Sequence, residues 1–282
     1  MTRKNPLVSP ILKWVGGKRQ LLDCIEPLIP KHTMYYEPFI GGGAVLFSRQ
    51  PDKAVINDSN EELINVYLTI KEEPEQLIKK LQEHREQSCE DYFYAIRALD
   101  RDRKAFDKMT NVERAARIIY LNKTCYNGLF RVNNSGEFNS PWGKYQNPNI
   151  TNETTIYALN SYFNKANITI MCGDYREALA GIKKGSFVYL DPPYMPISSS
   201  SSFTGYTAGG FGEEEQIALK KQCDLLTSKG VKFLLSNSCC PFIEDLYQDY
   251  IIEHVSAKRA INANPEKRGA VEEVLVRNYG VD

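Results

Sequence analysis

The chain has 282 residues, enough for one large domain or two modest ones, and its 42% hydrophobic and 25% charged content excludes a disordered or fibrous protein. Its 35 basic and 35 acidic residues cancel to a formal net charge of zero, so composition alone gives no sign of a nucleic-acid partner. No apolar stretch approaches the roughly 18 residues of a membrane span, and the opening MTRKNPLVSP lacks the apolar core of a signal peptide, so a cytoplasmic location with no membrane partner is expected.

The seven cysteines form no CxxC pair, and the adjacent Cys239 and Cys240 are poorly placed for an ordinary disulfide, so free thiols are expected. The three histidines, His32, His84 and His254, are scattered without metal-ligand spacing, and no metal site is expected.

In chain order, the first predicted strand runs into Glu37-Pro38-Phe39-Ile40-Gly41-Gly42-Gly43 and then the apolar helix start Ala44 to Phe47. Glycines there let the backbone turn tightly against a ligand. A second strand, Ala54 to Asn57, ends at Asp58, about 17 residues after Gly41, where an acid typically grips ribose hydroxyls. The same two features equally describe a helix cap and a surface acid. GxGxxG is absent, and Gly17-Lys18 lacks the rest of a P-loop, which weakens any ATP-using reading. A cofactor with a ribose but without phosphates fits best, and S-adenosylmethionine is the candidate, with Lys18 available for its carboxylate.

Residues 61 to 165 are mostly helical. Glu61 to Lys71 and Pro74 to Gln87 repeat Leu, Ile and Val at helical spacing, whereas 125–150 breaks the pattern with Asn, Gly and Pro. From 166 onward strands alternate with helices, with strands predicted at 168–172, 186–190, 231–236, 251–255 and 271–278. This alternation argues for a parallel α/β sheet covered on both faces, with the last two strands as an antiparallel edge hairpin and the helical block as an inserted second domain. Cys172-Gly173-Asp174-Tyr175 ends one strand, so Asp174 is a candidate acceptor for an adenine amine and Tyr175 a surface for a base.

The apolar run Phe187 to Leu190 ends in Asp191-Pro192-Pro193-Tyr194. Two prolines stop a strand because neither donates to the ladder. They also fix the direction of their carbonyls. An exocyclic amine is a weak nucleophile because its lone pair is delocalised into the ring. The Asp191 carboxylate and the Pro192 carbonyl offer acceptors for both amine hydrogens, and Tyr194 offers a face for stacking and for developing positive charge. The four residues suit methyl transfer to a planar amine without a covalent intermediate.

These stretches resemble the Dam-type DNA adenine methyltransferases over nearly the whole chain. The resemblance rests on Leu12-Lys13-Trp14-Val15-Gly16-Gly17-Lys18, Tyr36 to Gly43, Asn57-Asp58, Tyr126-Asn127-Gly128-Leu129-Phe130-Arg131, Gly136 to Pro141, Asp191 to Tyr194, and Phe203 to Tyr206. It implies a Rossmann-like, S-adenosylmethionine-dependent methyltransferase sheet built from 1–60 and 166–282. It also implies an inserted, mostly helical DNA-recognition domain over 61–165 that contains a β-hairpin. The expected reaction is methylation of adenine N6 in double-stranded DNA, usually at GATC, with Asp191, Pro192, Pro193 and Tyr194 as the catalytic motif. Trp14, Lys18, Glu37, Phe39, Gly41, Gly43, Asp58, Asp174, Tyr175 and Asp191 are the expected cofactor contacts. From its residue type alone, Trp14 reads as a core aromatic.

The family reading requires a DNA surface, and segment charge supplies one. Residues 117–148 carry Arg117, Lys123, Arg131 and Lys144 against Glu137 alone, interleaved with aromatic residues; Lys258, Arg259, Lys267 and Arg268 face only Glu266. Arg131 is the expected reader of guanine. By resemblance Tyr126, Asn127 and Leu129 share its hairpin and Lys13 is a second guanine contact; Lys144 and Tyr145 extend the surface. Phe138 and Trp142 equally suit a small loop core. Phe130 and Asn133-Asn134-Ser135 fall where family members differ, which bears on flanking preference. A duplex adenine reaches a recessed carboxylate only if flipped out, with the 195–210 loop expected to close over it. A cognate restriction endonuclease is a partner the resemblance allows. Methylation at another site or of RNA is the alternative chemistry, and a DNA-binding module with a degenerate pocket is the non-enzymatic one.

Overall fold

A computed structural model of the chain describes residues 4–133, 135–196, 211–258 and 270–281. The Ser198–Ser202 run, Phe203 to Tyr206, and Arg259, Glu266, Lys267 and Arg268 lie outside the described residues, as does the side chain of Lys258.

Among the described residues, seven strands form one sheet: β1 (Tyr35–Glu37), β2 (Lys53–Asp58), β3 (Asn167–Cys172), β4 (Phe187–Leu190), β5 (Lys232–Ser238), β6 (Ile251–Lys258) and β7 (Ala270–Arg277). Their order is β3-β2-β1-β4-β5-β7-β6. The first five strands in that order pair in parallel, and β7 enters antiparallel between β5 and β6. The expected terminal hairpin therefore exists, with β7 as its inner strand. Every residue of β4 is buried, the uninterrupted apolar run of a central strand covered on both faces.

The pleat sorts side chains into two cores. Tyr35, Phe187, Tyr189, Leu234 and Leu275 face one; Tyr36, Val188, Leu190, Phe233, Leu235, Val274 and Val276 face the other. The helices are α1 (Leu22–Ile25), α2 (Ala44–Arg49), α3 (Glu61–Glu72), α4 (Pro74–Gln87), α5 (Glu90–Ala98), α6 (Arg103–Phe106), α7 (Asn111–Thr124), α8 (Glu153–Lys165), α9 (Tyr175–Ala178), α10 (Glu213–Ser228) and α11 (Pro241–Leu246). Helices α9 to α11 line the second core. The first core continues from the sheet into α3, α4, α7 and α8, so the inserted helices share apolar packing with the sheet.

Local chemistry sets the helix starts. The Asn60 side chain accepts the Leu63 N–H at the head of α3. Thr110 and Glu113 form a reciprocal capping box on α7. Helix α7 is the hub of the inserted block, packed against α3 and α4 with nine buried residues. One of them is Arg117, only 2% exposed and paired to Asp100 at 2.7 Å. This corrects the sequence expectation, which counted Arg117 among surface cations. Phe138 is likewise buried at 1%, an anchor of the loop core. All seven cysteines are free thiols, and none of the described helices is long and apolar enough to cross a membrane.

Candidate active site

The glycine turn, Asp58, Asp174 and Asp191 lie at or just past the C-terminal ends of β1, β2, β3 and β4, where open parallel sheets place their ligands. After β1 the chain turns through Gly41 (φ +47°) and Gly43 (φ +72°), both in the left-handed region. A Cβ at Gly43 would lie 2.5 Å from the Phe47 ring, and one at Gly41 would lie 3.1 Å from Trp14. The turn is locked from two sides. Gly41 N–H donates to Asp58 Oδ2 at 3.0 Å, and the Tyr67 hydroxyl donates to the Gly41 carbonyl at 2.6 Å. Asp58 Oδ1 accepts the Asn60 N–H at 3.0 Å. Burial raises the Asp58 pKa, and these N–H bonds work against that rise.

Phe39 and Tyr175 pack together at 5.0 Å beside this turn. Asp174 caps α9 through the Arg176 N–H and is ion-paired to the Arg176 guanidinium, which holds its pKa low. A ligand amine would share this carboxylate with Arg176. Glu37 is 2% exposed and accepts the Tyr35 hydroxyl at 2.7 Å. Burial lifts its pKa to about 8, and the neighbouring Asp191 carboxylate adds to the rise.

Asp191 is held through one oxygen. Lys18 Nζ lies 2.8 Å from Oδ1, and Ser236 Oγ donates to the same atom at 2.8 Å. Among the described residues, no donor is recorded on Oδ2. The Lys18 ammonium is 5% exposed, donates to the Gly16 carbonyl at 2.6 Å, and lies 4.6 Å above the Tyr194 ring. The Tyr194 hydroxyl donates to Glu273 on β7. Gln216 of α10 donates to the Pro193 carbonyl at 3.0 Å and accepts from Asn237, which in turn receives the Met195 N–H. Pro193 and Met195 are thus braced by α10 and β5. Among the described residues, no donor is recorded on the Pro192 carbonyl.

The segment 13–18 ties this centre to the inserted block. Asn122 of α7 clamps Lys13 by accepting its N–H and donating to its carbonyl, both at 2.9 Å, and also donates to Gly128. Next along the chain, Trp14 stacks on Phe130 at 4.6 Å, and its side chain lies so close to the glycine turn that a Cβ at Gly41 or at Gly42 would come within 3.1 Å of it. Beyond Phe130 a hairpin forms. Val132 bridges Phe138, Asn139 N–H donates to the Arg131 carbonyl, and Asn133 N–H donates to the Glu137 carbonyl. Arg131 is exposed, with Nε on Asn139 at 2.7 Å. Lys13, Asn127 and Tyr145 line one open groove with Lys123, a cavity of about 400 Å³. Tyr126 is exposed and Leu129 half-buried; Lys144 is exposed in a left-handed turn (φ +56°).

Sequence reasoning missed Asn122, Ser236, Gln216, Asn237 and Glu273. A signal existed for two of them: Ser236 and Asn237 are polar residues at the end of an otherwise apolar buried strand. Asn122, on a helix buried on nearly every side, gave no contrast.

The family description "D12 class N6 adenine-specific DNA methyltransferase" matches residues 14–261. A Type II methyltransferase, M1.LlaDCHI of Lactococcus lactis subsp. cremoris, is 46% identical over 282 residues, covering 99% of each chain. Type II methyltransferase M.MjaIII of Methanocaldococcus jannaschii is 40% identical, covering 96% of this chain and 99% of its own. The DNA adenine methylase of Escherichia coli K12 is 33% identical, covering 94% of this chain and 93% of its own. With the match spanning the glycine turn, the inserted block and the Asp191 motif, the chain belongs to the D12 class of N6 adenine-specific DNA methyltransferases.

Proposed function

We propose that this adenine-N6 DNA methyltransferase uses S-adenosylmethionine and acts on an adenine flipped out of a GATC duplex. The observation that carries the reading is the Asp191 carboxylate, fixed through Oδ1 by Lys18 and Ser236 at the mouth of β4. The amine of the flipped base donates to Asp191 and to the Pro192 carbonyl, which localises its lone pair and readies N6 for attack. Lys18 occupies one face of Tyr194, so the base takes the other.

The residues present fit the cofactor. Left-handed glycines at 41 and 43 leave the turn without side chains, and the Asp58 carboxylate stands beside it for ribose hydroxyls. Phe39 and Tyr175 form an apolar wall for an adenine ring, with Asp174 at its edge. Lys18 serves the cofactor carboxylate from its position on Asp191; Trp14 and the neutral form of Glu37 line the same side. When bound, S-adenosylmethionine supplies an electrophilic methyl group.

Residues 61–165 act as the recognition unit. Arg131 reads guanine, Lys13 contacts a second guanine, and Tyr126, Asn127 and Leu129 approach the bases; Lys144 and Tyr145 hold the backbone. The cytoplasm is the expected compartment. A companion endonuclease for the same site is a partner this reading allows.

The test is transfer of label from S-adenosylmethionine to matched duplexes with GATC or a scrambled site. Label on the GATC duplex alone is expected. Asp191→Ala should still bind DNA while its kcat falls by about 100-fold or more. Label on both duplexes would remove the site assignment and leave the chemistry. A fluorescent base analogue at the target should brighten on binding; an unchanged signal would exclude flipping.

A further inference from the structure

At the far end of the terminal hairpin, Cys239, His254 and Glu272 bring a sulfur, a ring nitrogen and a carboxylate oxygen within 4.8 Å of one another. They come from the end of β5, from β6 and from β7, separated in sequence by 15 and 18 residues, so linear spacing hid them. The sheet places them. His254 pairs with Val274, so Glu272, two residues along β7, presents its side chain on the same face. The Cys239 N–H donates to the Glu272 carbonyl at 3.3 Å, which brings its thiol beside that carboxylate.

The distances suit a tetrahedral ion. Cys239 Sγ lies 3.6 Å from His254 Nδ1, and zinc bonded to sulfur and nitrogen at ordinary lengths holds those atoms about 3.5 Å apart. Sγ is 4.0 Å from Glu272 Oε2, within a small side-chain rotation of the same value. A second, independent feature points the same way. The other ring nitrogen, Nε2, faces Glu244 of α11 at 3.3 Å. A carboxylate on the far nitrogen orients an imidazole and sharpens its basicity, the usual support of a metal-bound histidine.

We propose that Cys239, His254 and Glu272 form a binding site for a zinc-class divalent ion, with Glu244 orienting His254. Thiolate and imidazole select zinc over magnesium or calcium, which prefer all-oxygen shells. All three ligands are at least partly exposed, so a water completes the shell and entry is open. The thiol loses its proton as the ion binds. The ion joins β5, β6 and β7 one residue from Glu273, whose carboxylate accepts the Tyr194 hydroxyl. Its role is to brace the sheet beside the catalytic motif.

Cobalt(II) is the optical probe. After chelator treatment the full chain should bind one equivalent, with tetrahedral visible bands and a thiolate charge-transfer band that zinc bleaches. Cys239→Ser should lose the charge-transfer band and His254→Ala the tetrahedral bands, while the neighbouring Cys240→Ser keeps both. Glu244→Gln should weaken binding about 10–100-fold. Zinc should raise Tm of the unaltered chain and of Cys240→Ser but not of Cys239→Ser. Absence of the bands, or their survival in Cys239→Ser, overturns the proposal.

Discussion

Burial holds the Glu37 carboxyl at about 8, against 4.5 for an ordinary glutamate, and the Asp191 carboxylate adds to that rise. Between those two values the unfolded chain has released a proton that the folded chain keeps. Folding stability contributed by this group is therefore greatest below about 4.5, declines as pH rises, and levels off above about 8, by on the order of 1 kcal/mol per unit. Glu37→Gln is neutral throughout and keeps an acceptor for the Tyr35 hydroxyl. Its Tm relative to the unaltered chain should climb steadily as pH is raised through that window; parallel curves would refute the assignment. Residues of this kind were legible in sequence as to type and place. Asp191, Asp58 and the glycines carry their chemistry in their own neighbours. What supports them was not legible: Ser236 lies 45 residues from Asp191, and only the β4–β5 pairing brings the two together.

The 131–139 hairpin, proposed above as the reader of the target, stands on α7 through a buried charge. The Arg117 guanidinium donates to the Ile96 and Arg97 carbonyls and pairs with Asp100, whose other role is to accept the Phe138 N–H at 2.8 Å. Arg117→Met leaves that carboxylate buried beside Arg101 alone. The expected cost is about 3–5 kcal/mol, read as a lower urea midpoint at unchanged slope. A loss under about 1 kcal/mol would mean that Arg101 suffices. Helices α3 and α4 were readable because each presents one apolar stripe. Helix α7 is buried on nearly all sides, so its pattern could not say whether Arg117 faced water or core, and counting charges placed it wrongly.

The sheet divides the molecule into two cores, yet neither core belongs to a separate segment of chain. The larger one runs from Val8 through the inserted helices to Tyr279. The inserted block should therefore not melt by itself. Its Trp142 and the amino-terminal Trp14 are the two tryptophans of the chain. Replacing either with Phe lets the other report alone. Both should show one urea transition that coincides with loss of helix by circular dichroism. An earlier transition for Trp142 would show an autonomous block. The parallel sheet and its antiparallel terminal hairpin could be anticipated from strand–helix alternation, whereas the continuity of the core could not, because it depends on which helix faces meet.

Phe130 lies on Trp14, and Trp14 lies on the backbone of Gly41 and Gly42. The hairpin is consequently not an exchangeable cartridge. If the proposed assignments hold, a graft that brings a new target sequence but no aromatic at position 130 removes the floor beneath Trp14, and the proposed methyl-donor pocket inherits the damage. Laboratory evolution toward a new site should then recover variants in which donor affinity and target preference change together. Libraries that hold position 130 aromatic should yield more active clones than libraries that randomise it.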